Sequence, residues 1–499
     1  MKGREDLFQL IRAMSKSEKR YFTLDAQKSG RKGSRYLELF QALNDTVEYD
    51  ESTLKQQFGK NLPFDKTYLY EAILRSMRDY RSANSYAAKI KEMILDSKYL
   101  YERGLYEQAE ERLESAKKLA YELGDQLSII ELNKEQRRLW KDTKRKGFEQ
   151  QIDILIGEKD DNLRKLHEEL HFLDTHDQLL VEIRKNPRLA EGKQRELLKA
   201  RFSTLLKALD EEPTSVQGQL RFFQCMALFS QLTGDADKVF EYYNKVVSCW
   251  NARPKYKDEE FYRYVLDVSN LLHAAFSNDS KRHLIPGLLA ELERETPANP
   301  HDQQVLFQKI AVYKLVYHIN TGDFSQTDSI IDTIDQWLKQ YNFSTAGELV
   351  ILFNAALLLF MAEKYELCKQ WAERIISRPR TTQRQDIQMG IRLIHLIATY
   401  QCGDVEEVEA CLRSTQRYYH RVLTEKDDFF SDVVHWLRRF YGAPPRELVA
   451  LYREMRQTLL DLKANKQEVP LGLDELLLIW LDSRISRQSI AALIRSKAE

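Results

Sequence analysis

Glycine and proline are scarce, at 18 and 11 residues in a chain of 499, or roughly 4% and 2% where globular chains average about 7% and 5%. Hairpin-rich folds place those residues at their turns, so an all-β architecture is excluded. An excess of one charge sign is missing as well. Lys+Arg and Asp+Glu both number 76, leaving no global field to draw the chain to nucleic acid or a membrane surface. Long hydrophobic runs are also lacking. The longest, Leu349 to Ala362, has 14 residues, is broken by Asn354 and is flanked by Glu348 and Glu363. A bilayer span needs about 20 apolar residues, so this run reads as a buried helix.

The five cysteines (Cys225, Cys249, Cys368, Cys402 and Cys411) form no C-x-x-C and read as small apolar side chains within helical patterns. The start of the chain, Met1-Lys-Gly-Arg-Glu-Asp-Leu-Phe, has acids where a signal peptide would begin its apolar stretch. A cytoplasmic protein is the expectation. No glycine-rich phosphate loop and no G-x-S-x-G elbow occurs, so neither an enzymatic activity nor a cofactor is expected. Aromatics at 11% and hydrophobic residues at 43% exclude a disordered chain.

What is there is helical periodicity. Apolar residues recur three and four apart nearly everywhere, which predicts an all-α fold. Ser15-Lys-Ser-Glu18, Thr345-Ala-Gly-Glu348 and Thr382-Gln-Arg-Gln385 have capping-box spacing, and Asp50 and Asp65 are N-cap candidates. Short breaks at Gly104, Gly234, Asn278, Gly322, Glu363 and Gly403 separate helix pairs, and from Gly234 onward they step by 44, 44, 41 and 40 residues. The longer interval from Gly104 to Gly234 predicts further breaks at Lys146-Gly147 and near Asn186-Pro187. A lone antiparallel pair cannot bury its apolar face, so a tandem series must stack.

The segment Leu100-x-x-x-Gly104-x-Tyr106-x-x-Ala109-x-x-x-Leu113-x-x-Ala116 resembles the core of a tetratricopeptide repeat (TPR). Weaker versions are Gly322-Asp-Phe324, Glu363-Lys-Tyr365 with Cys368 and Ala372, and Gly403-Asp-Val405 with Val408 and Leu412. The period exceeds the family's usual length of about 34 residues and the repeat-ending proline is mostly missing, so a HEAT-like reading stays open. The resemblance implies a right-handed α-solenoid of antiparallel helix pairs over 83–443. A small helical module, 1–82, precedes it and capping helices, 444–499, follow. The apolar run Glu475 to Leu481 would cap the solenoid or meet a partner.

The function it implies is a non-enzymatic scaffold or adaptor that binds a protein or peptide partner along the first helix of each pair. Register from the turns projects Lys98, Tyr101, Gln224, Gln231, Val316, Asn320, Phe353, Leu357, Leu393 and Tyr400 inward, and the same positions fit a core between repeats. The paired Lys and Asn with which the family captures a carboxylate are not reproduced here.

Two motifs compete with that reading. His167-Glu-Glu-Leu-His171 matches H-E-x-x-H, whose histidines share a helix face and can hold zinc with the intervening Glu as base. Glu169 puts a charge where zinc peptidases carry none, and Asp174 replaces their glycine. The expectation is a helix with Leu163, Leu166, Leu170 and Leu173 as its apolar stripe and both histidines on the wet flank. The other motif is basic. Segments Glu51–Phe58 and Asp65–Met77 have a helix–turn–helix cadence, with Lys66, Arg75, Arg78 and Arg81 available for phosphates but Glu71 and Asp79 among them. Lys16, Lys19 and Arg20 add to it. The alternative function is therefore a regulator whose N-terminal module binds nucleic acid while the solenoid binds a partner. A further basic cluster, Lys134 to Lys146, reads as a solvated face or a docking patch.

Overall fold

The computed structural model describes residues 5–28, 35–46, 48–82, 85–143, 147–185, 192–208, 212–341, 343–378, 384–403, 405–422, 429–464 and 469–498, and no strand occurs among them. The fold is all-α, with many helices packed on their neighbours in sequence. It divides into two compact units, 1–278 and 279–499.

In the first unit, five helices (Asp6–Ala13, Lys16–Lys28, Arg35–Asp45, Glu51–Phe58 and Leu62–Ser82) enclose a core of their own, centred on Ile11, Leu39, Leu43, Leu62, Leu69 and Ile73. The Ser15 box forms: the Ser15 amide donates to Glu18 Oε2 at 2.7 Å and the Glu18 amide donates to Ser15 Oγ at 3.2 Å. Asp50 caps its helix by accepting from the Ser52 amide. Asp65 is no cap. Its helix begins three residues earlier, at Leu62, and its carboxylate instead accepts from Arg35 Nε at 2.7 Å.

The next helices form sequential hairpins: Tyr86–Glu102 on Tyr106–Leu123, which packs in turn on Gln126–Thr143. Ala109, Leu113 and Ala116 are buried at the contact, where small residues let the helix axes approach. The turn after Tyr86–Glu102 closes with Leu105 N–H to Leu100 O and Gly104 N–H to Tyr101 O, both at 3.0 Å. This is the paired closure that a left-handed residue permits at a helix C-terminus, and Gly104 has φ +73°. The same two bonds recur around Gly124, Gly234 and Glu363.

Beyond Gln126–Thr143 the expected series of pairs fails. Phe148–Lys185 is one helix of 38 residues. It is stiffened on its wet side by Asp161–Lys165 and Arg164–Glu168 ion pairs at helical spacing. The predicted break at Gly147 is its start; Lys146, Asn186 and Pro187 lie outside the described residues, as do Thr382 and Gln383. Val216–Thr233 packs on this helix and on Ala236–Asn251, which meets Phe261–Phe276.

The second unit has one large core. Thr345–Met361 is buried on nearly all sides, including Leu352, Leu358 and Phe360, as its apolar composition requires. Its cap is Ser344, whose Oγ accepts from the Gly347 amide, rather than Thr345. The helix pairs on Tyr365–Ile376, then Gln385–Cys402 and Val405–Val422. The run Glu475 to Leu481 belongs to Leu473–Ser486, where Leu477, Trp480 and Leu481 are fully buried. Trp480 lies 6.0 Å from the Tyr452 ring, so this run is consumed inside the unit and presents no surface to a partner. The last helix, Ile490–Ala498, docks on Pro300–Thr321, and Arg495 donates to Gly322 O at 2.9 and 3.1 Å.

Candidate functional site

His167 and His171 both point to solvent from Phe148–Lys185, and Glu169 is turned inward. Among the described residues no group of three His, Cys, Asp or Glu side chains is arranged to hold a metal ion. The leucine stripe is not the packed face. Leu163 and Leu170 are 44% and 50% exposed, while the buried positions are Leu155, Asn162, Glu169, Phe172, Thr175, Leu179 and Glu182. Polar anchors explain the choice of face. Asn133 donates to Leu155 O at 2.8 Å and to Glu158 at 2.7 Å, and Cys225 donates to Phe172 O.

Val216–Thr233, packed on that inward face, carries part of a buried polar network. Asp267, fully enclosed, accepts from Gln224 Nε2 at 2.8 and 2.9 Å and from Trp250 Nε1 at 2.8 Å. Burial pushes the Asp267 carboxyl up, against the pull of those donors. Arg221 donates to Gln224 Oε1 at 3.0 Å, so the guanidinium reaches the carboxylate through an amide relay. Burial, with Arg263 nearby, lowers the Arg221 pKa, and burial also lowers that of His176. Such a network fixes helix register; its carboxylate has no solvent path to a ligand. Gln224, expected to line a groove, is a structural member of it.

A second cluster has the order of a nucleophile, base and carboxylate. Cys411 Sγ lies 3.3 Å from His395 Nδ1, and His395 Nε2 lies 3.7 Å from Glu373 Oε1. The electrostatics oppose nucleophilic chemistry. Burial pushes the Cys411 thiol up and the imidazole pKa down, so little thiolate forms at neutral pH. Cys411 also stands within Val405–Val422, where backbone N–H groups are committed to the helix ladder and cannot line an oxyanion hole. Residues 16 apart on two helices carry no sequence signature, and this cluster could not be read from the chain.

The remaining partner-facing candidates scatter. Phe353 and Leu357 are 3% and 8% exposed and Leu393 is wholly buried, all three in the core of the second unit. Tyr400 is half-buried with its hydroxyl 3.0 Å from that of Tyr452. Gln231 and Asn320 are exposed, and Val316 is half-buried. Only Lys98 and Tyr101 stand in a surface array. Lys98 Nζ bridges Glu131 and Glu135 at 3.2 and 3.5 Å. Tyr101 donates its hydroxyl to Asp142, and the Arg138 guanidinium sits 4.3 Å above its ring. These groups lie on the parallel faces of Tyr86–Glu102 and Gln126–Thr143, so the basic cluster beginning at Lys134 is interleaved with acids in space.

In the N-terminal module the helix–turn–helix cadence corresponds to Glu51–Phe58, a tight turn at Gly59–Asn61 and Leu62–Ser82. Lys66 is buried and bonded to Glu51 and Tyr49. The exposed side of the second helix carries Phe64, Tyr68, Glu71, Arg75, Arg78 and Asp79, with the two acids set among the arginines. All five cysteines are free thiols, and among the described residues no helix is long and apolar enough to cross a membrane. No family model, curated protein or solved structure matches the chain.

Proposed function

We propose that this chain is a non-enzymatic interaction scaffold, built within each unit from TPR-like antiparallel helix pairs with right-handed stacking. It binds a protein or peptide partner on exposed helix faces. The observation that carries the reading is the recurrent hairpin closure: the same two-bond turn follows Leu100, Ala120, Ser230 and Leu359, and helices pack on their sequence neighbours on either side of each. Repeated supersecondary units of this kind make extended surfaces rather than enclosed reaction sites.

The face carrying Lys98, Tyr101 and Arg138 is the surface we assign to the partner. It offers an aromatic ring, a guanidinium stacked on it and alternating charges, a composition typical of interaction surfaces. The acids beside Lys98 and Arg138 disfavour a phosphate backbone there. Glu71 and Asp79, with Lys66 withdrawn into the core, weigh equally against a nucleic-acid role for the N-terminal module. The test is affinity purification of the full chain from its native cells, wild type beside Lys98→Glu/Tyr101→Ala. A specific prey lost on substitution, at unchanged thermal stability, supports the reading. Identical prey sets, or binding that follows nucleic acid and vanishes with nuclease, sink it.

A further inference from the structure

The outward side of Phe148–Lys185 carries a second, unused pattern. Leu163 and Leu170 stand seven apart and largely exposed, and half-buried Leu166 and Leu173 follow each of them by three. Ile156 and Leu180 continue the alternation of three and four at the two ends. This is a heptad seam, turned roughly 100° about the helix axis from the buried positions Leu155, Asn162 and Glu169, each of which immediately precedes a seam residue. Two charges interrupt it, Lys159 and Asp177. They have opposite signs and sit at equal distances, nine residues either side of Glu168.

We infer that the chain self-associates, with this helix packing antiparallel on the same helix of a second copy about a twofold axis level with Glu168. In that register Leu163 meets Leu173 of the second copy, Leu166 meets Leu170, Ile156 meets Leu180, and Lys159 meets Asp177. Each contact occurs twice, as an isologous interface requires. The charges select the arrangement. Parallel pairing would set Lys159 on Lys159 and Asp177 on Asp177, and sliding the antiparallel pair by one heptad would set Asp177 against Ile152 or Leu166. Asp160 and Asp174 oppose each other at the rim, where solvent and salt screen the repulsion. A seam from Ile156 to Leu180 is about 36 Å long and removes on the order of 1,200 Å² from water, the lower end of specific interfaces. The occupant is therefore a second copy of this chain, held by a modest, concentration-dependent contact.

Sedimentation equilibrium of the full-length protein between about 1 and 100 μM tests the proposal. A monomer–dimer equilibrium is expected. Leu163→Asp/Leu170→Asp should leave the far-UV circular dichroism unchanged and the protein monomeric. Lys159→Asp or Asp177→Lys alone places like charges at both symmetric positions and should weaken the dimer roughly tenfold. The double reversal Lys159→Asp/Asp177→Lys should recover the wild-type constant to within about threefold. Parallel pairing predicts no such rescue. A monomer throughout the range, a dimer untouched by the leucine substitutions, or single reversals that the double fails to rescue would each overturn the inference.

Discussion

Replacing Glu169 with glutamine should abolish a specific loss of stability at rising pH. Glu169 is 8% exposed on the inward face of Phe148–Lys185, and its Oε1 has no hydrogen-bond partner. Burial pushes the carboxyl up to about 7, and the nearby Asp125 and Glu168 charges push the same way, against the pull of Ser215 and Gln126. The folded chain therefore holds this proton more tightly than the unfolded one, where a glutamate titrates near 4.5. Its contribution is fully present below that value and is lost as pH rises to about 7. The gap corresponds to about 3 kcal/mol, and solvent at this edge of the network brings it to about 2 kcal/mol. The assay is urea unfolding of wild type and Glu169→Gln from pH 4.5 to 8. Pulsed hydrogen exchange of peptides from 148–185 assigns the transition to this unit. The two proteins should match near pH 4.5, and the variant should be more stable by about 2 kcal/mol at pH 7.5. A difference that stays flat with pH, or favours wild type at high pH, would refute the account of a buried, ionisation-averse carboxyl.

Two further outcomes follow from local geometry. Gly322→Ala should destabilise the second unit by about 2 kcal/mol or more, because the residue has φ +64° and an added Cβ would meet Ala491 O at 3.0 Å and Ile494 Cβ at 3.1 Å. Limited proteolysis should then release Ile490–Ala498 first, and an undisturbed C-terminal helix would count against the docking contact. Gln224→Leu should cost about 2 kcal/mol in the first unit, since it strips Asp267 of its amide donor and leaves Trp250 as the remaining one. The same variant should keep any partner the wild type binds. A loss of binding at unchanged stability would return Gln224 to a surface role.

The fold class was legible because the signals for it are local. The Ser15 box, the Asp50 cap and the left-handed glycines act within one turn of chain, and each appears where its residues allow it. Of the two segments with helix–turn–helix cadence, Glu51–Phe58 is a helix over that span and Asp65–Met77 lies within the helix Leu62–Ser82. Side-chain destination is not local. Phe353 and Leu357 project inward by register, yet their helix is enclosed by Pro300–Thr321 and Thr327–Gln340 before it and by Tyr365–Ile376 and Gln385–Cys402 after it, and both are core. Lys98 and Tyr101, by the same register, meet acids on the next first helix and remain at the surface. The turn at Gly124 closes with the same two bonds as the one at Gly104, but it falls inside the repeat period, where spacing carries no signal for it.

Phe148–Lys185 shows why apolar periodicity alone misassigns a face. Its most regular leucines are outside, and a mixed surface of Leu155, Asn162, Glu169, Phe172 and Thr175 is inside. The inward choice depends on what the neighbouring helices offer: an amide from Asn133 and a thiol from Cys225, and a ring from Phe222, 5.5 Å from that of Phe172. None of these is visible within the helix itself. Amphipathic patterning states only that an apolar stripe needs a second surface; it does not say that the surface belongs to the same molecule. The stripe misread as this helix's core and the seam offered to a second copy are thus one feature. Leu163 and Leu170, which the pattern assigns to this helix's own core, are 44% and 50% exposed, and that exposure is what the proposed second copy would cover.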